Sequence, residues 1–155
     1  MTSLPKNKEQ RVSVFIDVQN LYHSAKHLYQ SRVNFREILR MAVGNRKLIR
    51  AFAYVIRTKT GEERAFFDAL TNVGIETRIK DLQEYYGGLK KADWDVGLAV
   101  DAIKISGSVD AIVIVSGDGD YVPLVEYLQN HGKLVEAMAF GRSTSTKLRE
   151  AVDEF

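Results

Sequence analysis

Ala111-Ile112-Val113-Ile114-Val115-Ser116-Gly117-Asp118-Gly119-Asp120 decides how this chain folds. Five apolar residues run without a break and then stop at a small, glycine-flanked acidic turn. An unbroken apolar run of this length suits a strand covered on both faces, as in a parallel sheet. Val12-Ser13-Val14-Phe15-Ile16 is a second strand, and it also ends on an acid, Asp17. Leu48–Ile56 is a third, and Leu134–Phe140 the last. Ile75-Glu76-Thr77-Arg78-Ile79 alternates apolar and polar, which predicts a more exposed strand.

Helical periods fill the spaces between. Leu21, Ala25 and Leu28 recur at i, i+4 and i+7 within residues 20–31. Asn34 and Glu37 form a capping-box pattern ahead of a helix that ends near Gly44. Residues 61–73 carry Phe66, Leu70 and Val73 on one side and stop at Gly74. Further helices are expected over about 94–105, 121–130 (closed by Gly132) and 145–155, and residues 80–92 are expected to be a long loop. Strand and helix alternate about five times. That order predicts an α/β three-layer sandwich, a central parallel sheet of five or six strands with helices on both faces.

The chain has 155 residues, 45% hydrophobic and 27% charged, an ordinary globular balance. Residues 1–10 are expected to be a disordered lead-in and 11–155 a single domain. There is no cysteine, which removes a disulfide scaffold, a thiolate zinc site and a cysteine nucleophile together. The polar start has no apolar signal segment, and no apolar run is long enough for a membrane span. A soluble, cytoplasmic protein is the expectation.

In an open parallel sheet, ligands bind beyond the carboxyl ends of the strands. Asp17, Gln19 and Asn20 follow the first strand there. Ser116, Asp118 and Asp120 follow the apolar one, and Asp93-Trp94-Asp95 opens the helix after the long loop. Each acid alone also fits a turn or a helix cap: Asp17 at a strand end, Asp118 between glycines, Asp120, Asp93 or Asp95 as N-caps. Gathered on one edge they repel, and a divalent cation between them makes the crowding favourable. Oxygen ligands select Mg²⁺ or Mn²⁺. The glycines beside Asp118 suit a backbone held close to a ligand. Asp101 lies six residues past Asp95, about 120° round a helix, and so supports the site from behind or serves the fold.

Arg57, Lys59, Lys80, Lys90, Lys91 and Arg142 fall in loops on the acidic edge. Arg46, Lys47 and Lys133 fall on the opposite one. An acidic metal centre ringed by bases suits a phosphodiester backbone. Tyr85, Tyr86 and Trp94 are candidates for stacking single-stranded bases, with packing in the core as the alternative for Trp94. His23 and His27 have zinc spacing, but the glutamate of an HExxH motif is missing and a solvated face is the better reading. No GxSxG, GxGxxG or P-loop occurs.

Phe15-Ile16-Asp17-Val18-Gln19-Asn20-Leu21, Lys91-Ala92-Asp93-Trp94-Asp95-Val96, Leu98-Ala99-Val100-Asp101 and Ser116-Gly117-Asp118-Gly119-Asp120-Tyr121 resemble the NYN domain family, and within it the bacterial LabA-like group. The ending Leu148–Phe155 resembles that group's last helix. The likeness runs from about Val12 onward. It implies a PIN-like sheet of order 3-2-1-4-5 and a ribonuclease site dependent on Mg²⁺ or Mn²⁺. Carried onto this chain, Asp17, Asp95 and Asp118 become metal ligands. Asp120 adds to them or orients a water, and Asn20 and Ser116 hold the site or touch a phosphate. Lys90, Lys91 and Arg142 position the backbone. The group's lysine three residues before the acid matched by Asp95 is here Ala92, with Lys91 one position earlier, so Asp93 is the alternative ligand. The expected partner is RNA in single-stranded form, with a homodimer among the expected assemblies. The alternative is a non-catalytic RNA-binding or regulatory module; a small-molecule phosphatase ranks third.

Overall fold

The computed structural model describes residues 8–24, 34–57, 64–81, 83–85, 89–91, 94–140 and 144–155. Its centre is a five-stranded, all-parallel sheet. The strands are β1 (Arg11–Asp17), β2 (Lys47–Arg57), β3 (Glu76–Asp81), β6 (Ala111–Val115) and β7 (Leu134–Met138), in the order β3-β2-β1-β6-β7. Counting only these five, the order is the expected 3-2-1-4-5. β1 and β6 lie side by side at the centre, Val12 opposite Ala111 and Ile16 opposite Val115.

Alternation along β1 explains the two layers of helix. Val12, Val14 and Ile16 face one side and pack with Leu21 of α1 (Val18–Ser24), Phe35 and Leu39 of α2 (Phe35–Val43) and Leu70 of α3 (Arg64–Val73). Phe15 faces the other side with Phe52 and Tyr54. There it meets Leu98 of α4 (Asp95–Ser106), Leu124 and Leu128 of α5 (Val122–Asn130) and Leu148 of α6 (Thr146–Ala151). Each such side chain contributes roughly 1.5–3 kcal/mol on full burial. Every residue of β6 is buried, as its unbroken apolar run predicts. β3, at the sheet edge, is largely exposed. None of the described helices is long and apolar enough to cross a membrane.

Three expectations need correction. Residues 80–92 are not simply a loop: β3 continues to Asp81, and β4 (Gln83–Tyr85) pairs antiparallel with β5 (Leu89–Lys91). Gly87-Gly88 between the two short runs is a hairpin signal in the sequence. The last helix ends at Ala151. Val152 is extended, and the chain then lies along β7: Val135 O accepts from Asp153 N at 2.8 Å and Glu154 O accepts from Ala137 N at 2.9 Å. The tail thereby satisfies backbone groups that an edge strand would leave open. The capping box at α2 is half formed. Asn34 accepts from the Glu37 amide at 3.1 Å, but the Glu37 carboxylate turns to Arg40. Gly44, Gly74 and Gly132 all have positive φ, the backbone state that ends helices at glycine.

Candidate metal centre

The sheet reverses its chain order between β1 and β6, and at such a switch point the loops leave in opposite directions and open a crevice. Asp17 is the last residue of β1. One of its oxygens, Oδ1, accepts from the Asn20 amide at 3.2 Å, as a helix cap does at the start of α1. The other, Oδ2, accepts from Ser116 Oγ at 3.3 Å and from Tyr121 Oη at 3.2 Å. Ser116 directly follows β6, and its Oγ accepts from the Asp118 amide at 3.1 Å. Asn20 Oδ1 accepts from the Gly117 amide at 3.0 Å. Asn20 and Ser116 thus tie the two strand ends together from opposite sides.

Asp95 is the first residue of α4. The cap position is Trp94, which makes no side-chain cap, so Asp95 is not the N-cap that one reading allowed; the other candidate, Asp93, lies outside the described residues. Asp95 Oδ1 accepts from the same Tyr121 hydroxyl at 3.2 Å. Asp118 Oδ1 accepts from the Asp120 amide at 2.9 Å, making Asp118 the cap of a single 3₁₀ turn, Gly119–Tyr121. Asp120 is therefore not the N-cap of α5; Pro123 occupies that helix's first turn instead. Each of Asp17, Asp95 and Asp118 offers a carboxylate oxygen, and these atoms lie within 4.8 Å of one another. Asp17 is buried and the other two are half-buried. Asp120 is exposed on the rim and outside this group of three.

Burial pushes the Asp17 carboxyl above its ordinary range. The neighbouring Asp118 charge adds to that, while the bonds from Asn20, Tyr121 and Ser116 oppose it. Burial likewise raises the Tyr121 phenol, and the charges of Asp17 and Asp95 raise it further. The phenol therefore stays protonated, with one proton to donate. Two carboxylates compete for it. The donor set, three carboxylates and no sulfur, fits a hard divalent ion.

Several expected residues stand elsewhere. Asp101 accepts from Tyr54 Oη at 2.8 Å and pairs with Arg78 Nε at 3.4 Å, and it is not one of the three clustered acids. Trp94 donates from Nε1 to Val55 O at 2.9 Å and lies edge-on to Tyr54. Its ring comes so close to Gly97 that a Cβ there would meet Cε3 at 2.4 Å. Trp94 is built into the fold. Gly119 is likewise close to Ser145, for a Cβ would lie 2.6 Å from Ser145 Oγ. Of the bases, Arg57 bonds Asp81 at 2.8 Å, and Lys80 Nζ sits 4.4 Å from the centre of the Trp94 ring. On the opposite edge Arg46 is fully buried against Glu136, with contacts of 2.6 and 2.9 Å. Lys59, Tyr86, Asp93, Arg142 and His27 lie outside the described residues, as do the side chains of His23, Tyr85, Lys90 and Lys91.

Tyr121 is the residue that sequence reasoning missed, having been read only as a helix start. The available signal was its position directly after the Gly-Asp-Gly-Asp run, since a buried tyrosine hydroxyl needs a polar partner and acids are the nearest ones.

The chain belongs to the NYN domain family, whose model matches residues 11–155 and whose fold is nuclease-like. Among particular proteins it is similar to the "low amplitude and bright protein LabA" of Synechococcus elongatus. The two are 26% identical over 154 residues, covering 94% of this chain and 82% of LabA. Among solved structures it is similar to VPA0982 of Vibrio parahaemolyticus, described as a protein of unknown function. That likeness has a TM-score of 0.88 at 33% identity and covers 98% of this chain and 94% of the other.

Proposed function

We propose that this protein is a metal-dependent endoribonuclease that cuts single-stranded RNA in the cytoplasm, with residues 11–155 as its single domain. The observation that carries the reading is the meeting of Asp17, Asp95 and Asp118 oxygens within 4.8 Å at the switch point. These three would hold Mg²⁺ or Mn²⁺. When bound, the ion supplies acidity to the attacking water and countercharge to the phosphate.

The chain's own residues do the rest. Asn20 and Ser116 fix the two strand ends so that Asp17 and Asp118 converge. Tyr121 donates its proton to Asp17 or Asp95 and orients them. Asp120 on the rim is assigned to orient the attacking water. Lys90, Lys91 and Arg142 are assigned to the RNA backbone, whose binding rests on countercharge.

The test is cleavage of end-labelled single-stranded RNA by pure protein in Mn²⁺, Mg²⁺ or EDTA, with wild type and Asp118→Asn side by side. Metal-dependent cutting that the variant loses is the expected result. Equal cutting by both proteins would sink the proposal. RNA bound by wild type but never cut would make the protein a binding module.

A further inference from the structure

From the apolar cleft that opens beside the three acids, we infer that this protein seats an unpaired nucleobase next to the reacting phosphate; the inference rests on the nuclease reading above. The cleft lies between α4 and α5 and has a volume of about 380 Å³. That is within the range of small-molecule sites, roughly 300–1,000 Å³. Its walls are Val96, Val100 and Ile103 from α4 and Pro123, Leu124 and Tyr127 from α5. At its mouth stand Asp95, Asp120 and Tyr121. Of those, Asp95 is one of the three clustered acids, and Tyr121 donates to it at 3.2 Å. An occupant of the cleft therefore lies beside Asp95, one of the three acids.

The walls are apolar where the fold does not require it. Val96, Val100 and Ile103 recur at i, i+4 and i+7 on the exposed side of α4, and Val96 is 75% accessible. Tyr127 is exposed opposite them. A stripe of this kind on a surface helix marks a contact site.

The chemistry of the occupant follows from the two flanks of Asp95. On the β3 side, Lys80 Nζ lies 4.4 Å from the ring centre of Trp94, the residue before Asp95, while Arg78 is paired with Asp101. Lys80 puts a positive charge on that flank, which suits phosphate. On the α5 side there is no cation among the cleft's lining residues, and the mouth carries two carboxylates. The apolar walls themselves offer phosphate no countercharge and accept a flat, neutral, apolar-faced group. A nucleotide at the acids satisfies both flanks if its backbone turns toward β3 and its base toward the cleft. Of the wall side chains only Tyr127 carries a hydrogen-bonding group, so the seat tolerates any base.

The test is fluorescence anisotropy with a labelled oligouridylate of about a dozen nucleotides, in EDTA and again in Ca²⁺. A matching series carries one abasic position moved along the strand. Wild type should bind about tenfold more weakly when one particular base is missing. The double variant Val100→Gln/Tyr127→Ala should bind the intact strand about tenfold more weakly and lose that dependence on the missing base. Both positions are exposed, so the fold should survive. Three results overturn the inference: no dependence on any base, a dependence that the variant retains, or no binding in either buffer. A fourth is a wild-type dimer in sedimentation velocity that the variant converts to monomer with RNA affinity unchanged, since the cleft is then a contact between two copies. Binding is read without cleavage. Failure to cut RNA in Mn²⁺ together with a variant-sensitive base dependence removes the nuclease reading and leaves the seat standing.

Discussion

Tyr121 Oη lies 3.2 Å from Asp17 Oδ2, between two side chains that are 1% and 7% exposed. The same oxygen is 3.2 Å from Asp95 Oδ1, yet a phenol has one proton to donate. It therefore holds two acids in place while satisfying only one of them at a time. Groups that orient metal ligands typically contribute 10–100-fold to metal affinity. Tyr121→Phe should weaken Mn²⁺ binding by about tenfold in titration calorimetry. Unchanged affinity would mean that the hydroxyl serves packing alone.

Asp17 gives a prediction with a definite sign in pH. Its carboxyl is raised above the ordinary 3.8, chiefly by burial, so the metal-free fold binds this proton more tightly than the unfolded chain does. Where the native state holds more protons, stability falls as pH rises. The loss begins near the ordinary value and is complete above the raised one. Asp17→Asn removes that term. The melting temperature of the metal-free variant minus that of wild type should grow with pH across this window and then level off. A difference that shrinks with pH would contradict the burial argument.

Glu136 and Arg46 form a bidentate pair inside the protein, and Arg46 also donates to Ala42 O at 2.8 Å and Val43 O at 3.2 Å. Removing one partner of a buried pair leaves the other charge without compensation. Glu136→Ala should cost about 3–5 kcal/mol in urea unfolding. A cost below about 1 kcal/mol would show that water reaches Arg46.

Ser13 presents the opposite case. Its Oγ is buried and has no hydrogen-bond partner among the described residues. An unsatisfied buried hydroxyl costs about 1–3 kcal/mol, and alanine removes it with little change in volume. Ser13→Ala should be neutral or stabilising by up to about 1 kcal/mol, measured by the same urea midpoint. Marked destabilisation would reveal a hidden partner.

The sheet was legible because its signals are local. The apolar run at Ala111–Val115 has no polar alternation, and β6 is buried on both faces. Asn34 caps α2 because a side chain three residues from an amide needs no help from the rest of the chain. The acids at the strand ends were legible for a related reason. Parallel strands joined by helices all send their carboxyl ends to one edge, so Asp17 and Asp118 share it whatever the details.

The hairpin of β4 and β5 was less visible, for runs of three residues carry little periodicity. The tail beyond Ala151 was not visible, because its extended form depends on the open edge of β7. The Glu37 carboxylate had two local partners, and geometry chose Arg40.

What the sequence by itself determined is the alternation of strand and helix and the edge on which the acids stand, since both follow from periods of a few residues. Only the tertiary structure decided which side chains share a proton or a charge. Tyr121 reaches Asp17 across 104 positions, Arg46 reaches Glu136 across 90, and Asp101 turns to Tyr54 across 47. The physical reason is that a hydrogen bond acts over about 3 Å, and no local pattern says which distant residue the fold will bring that near.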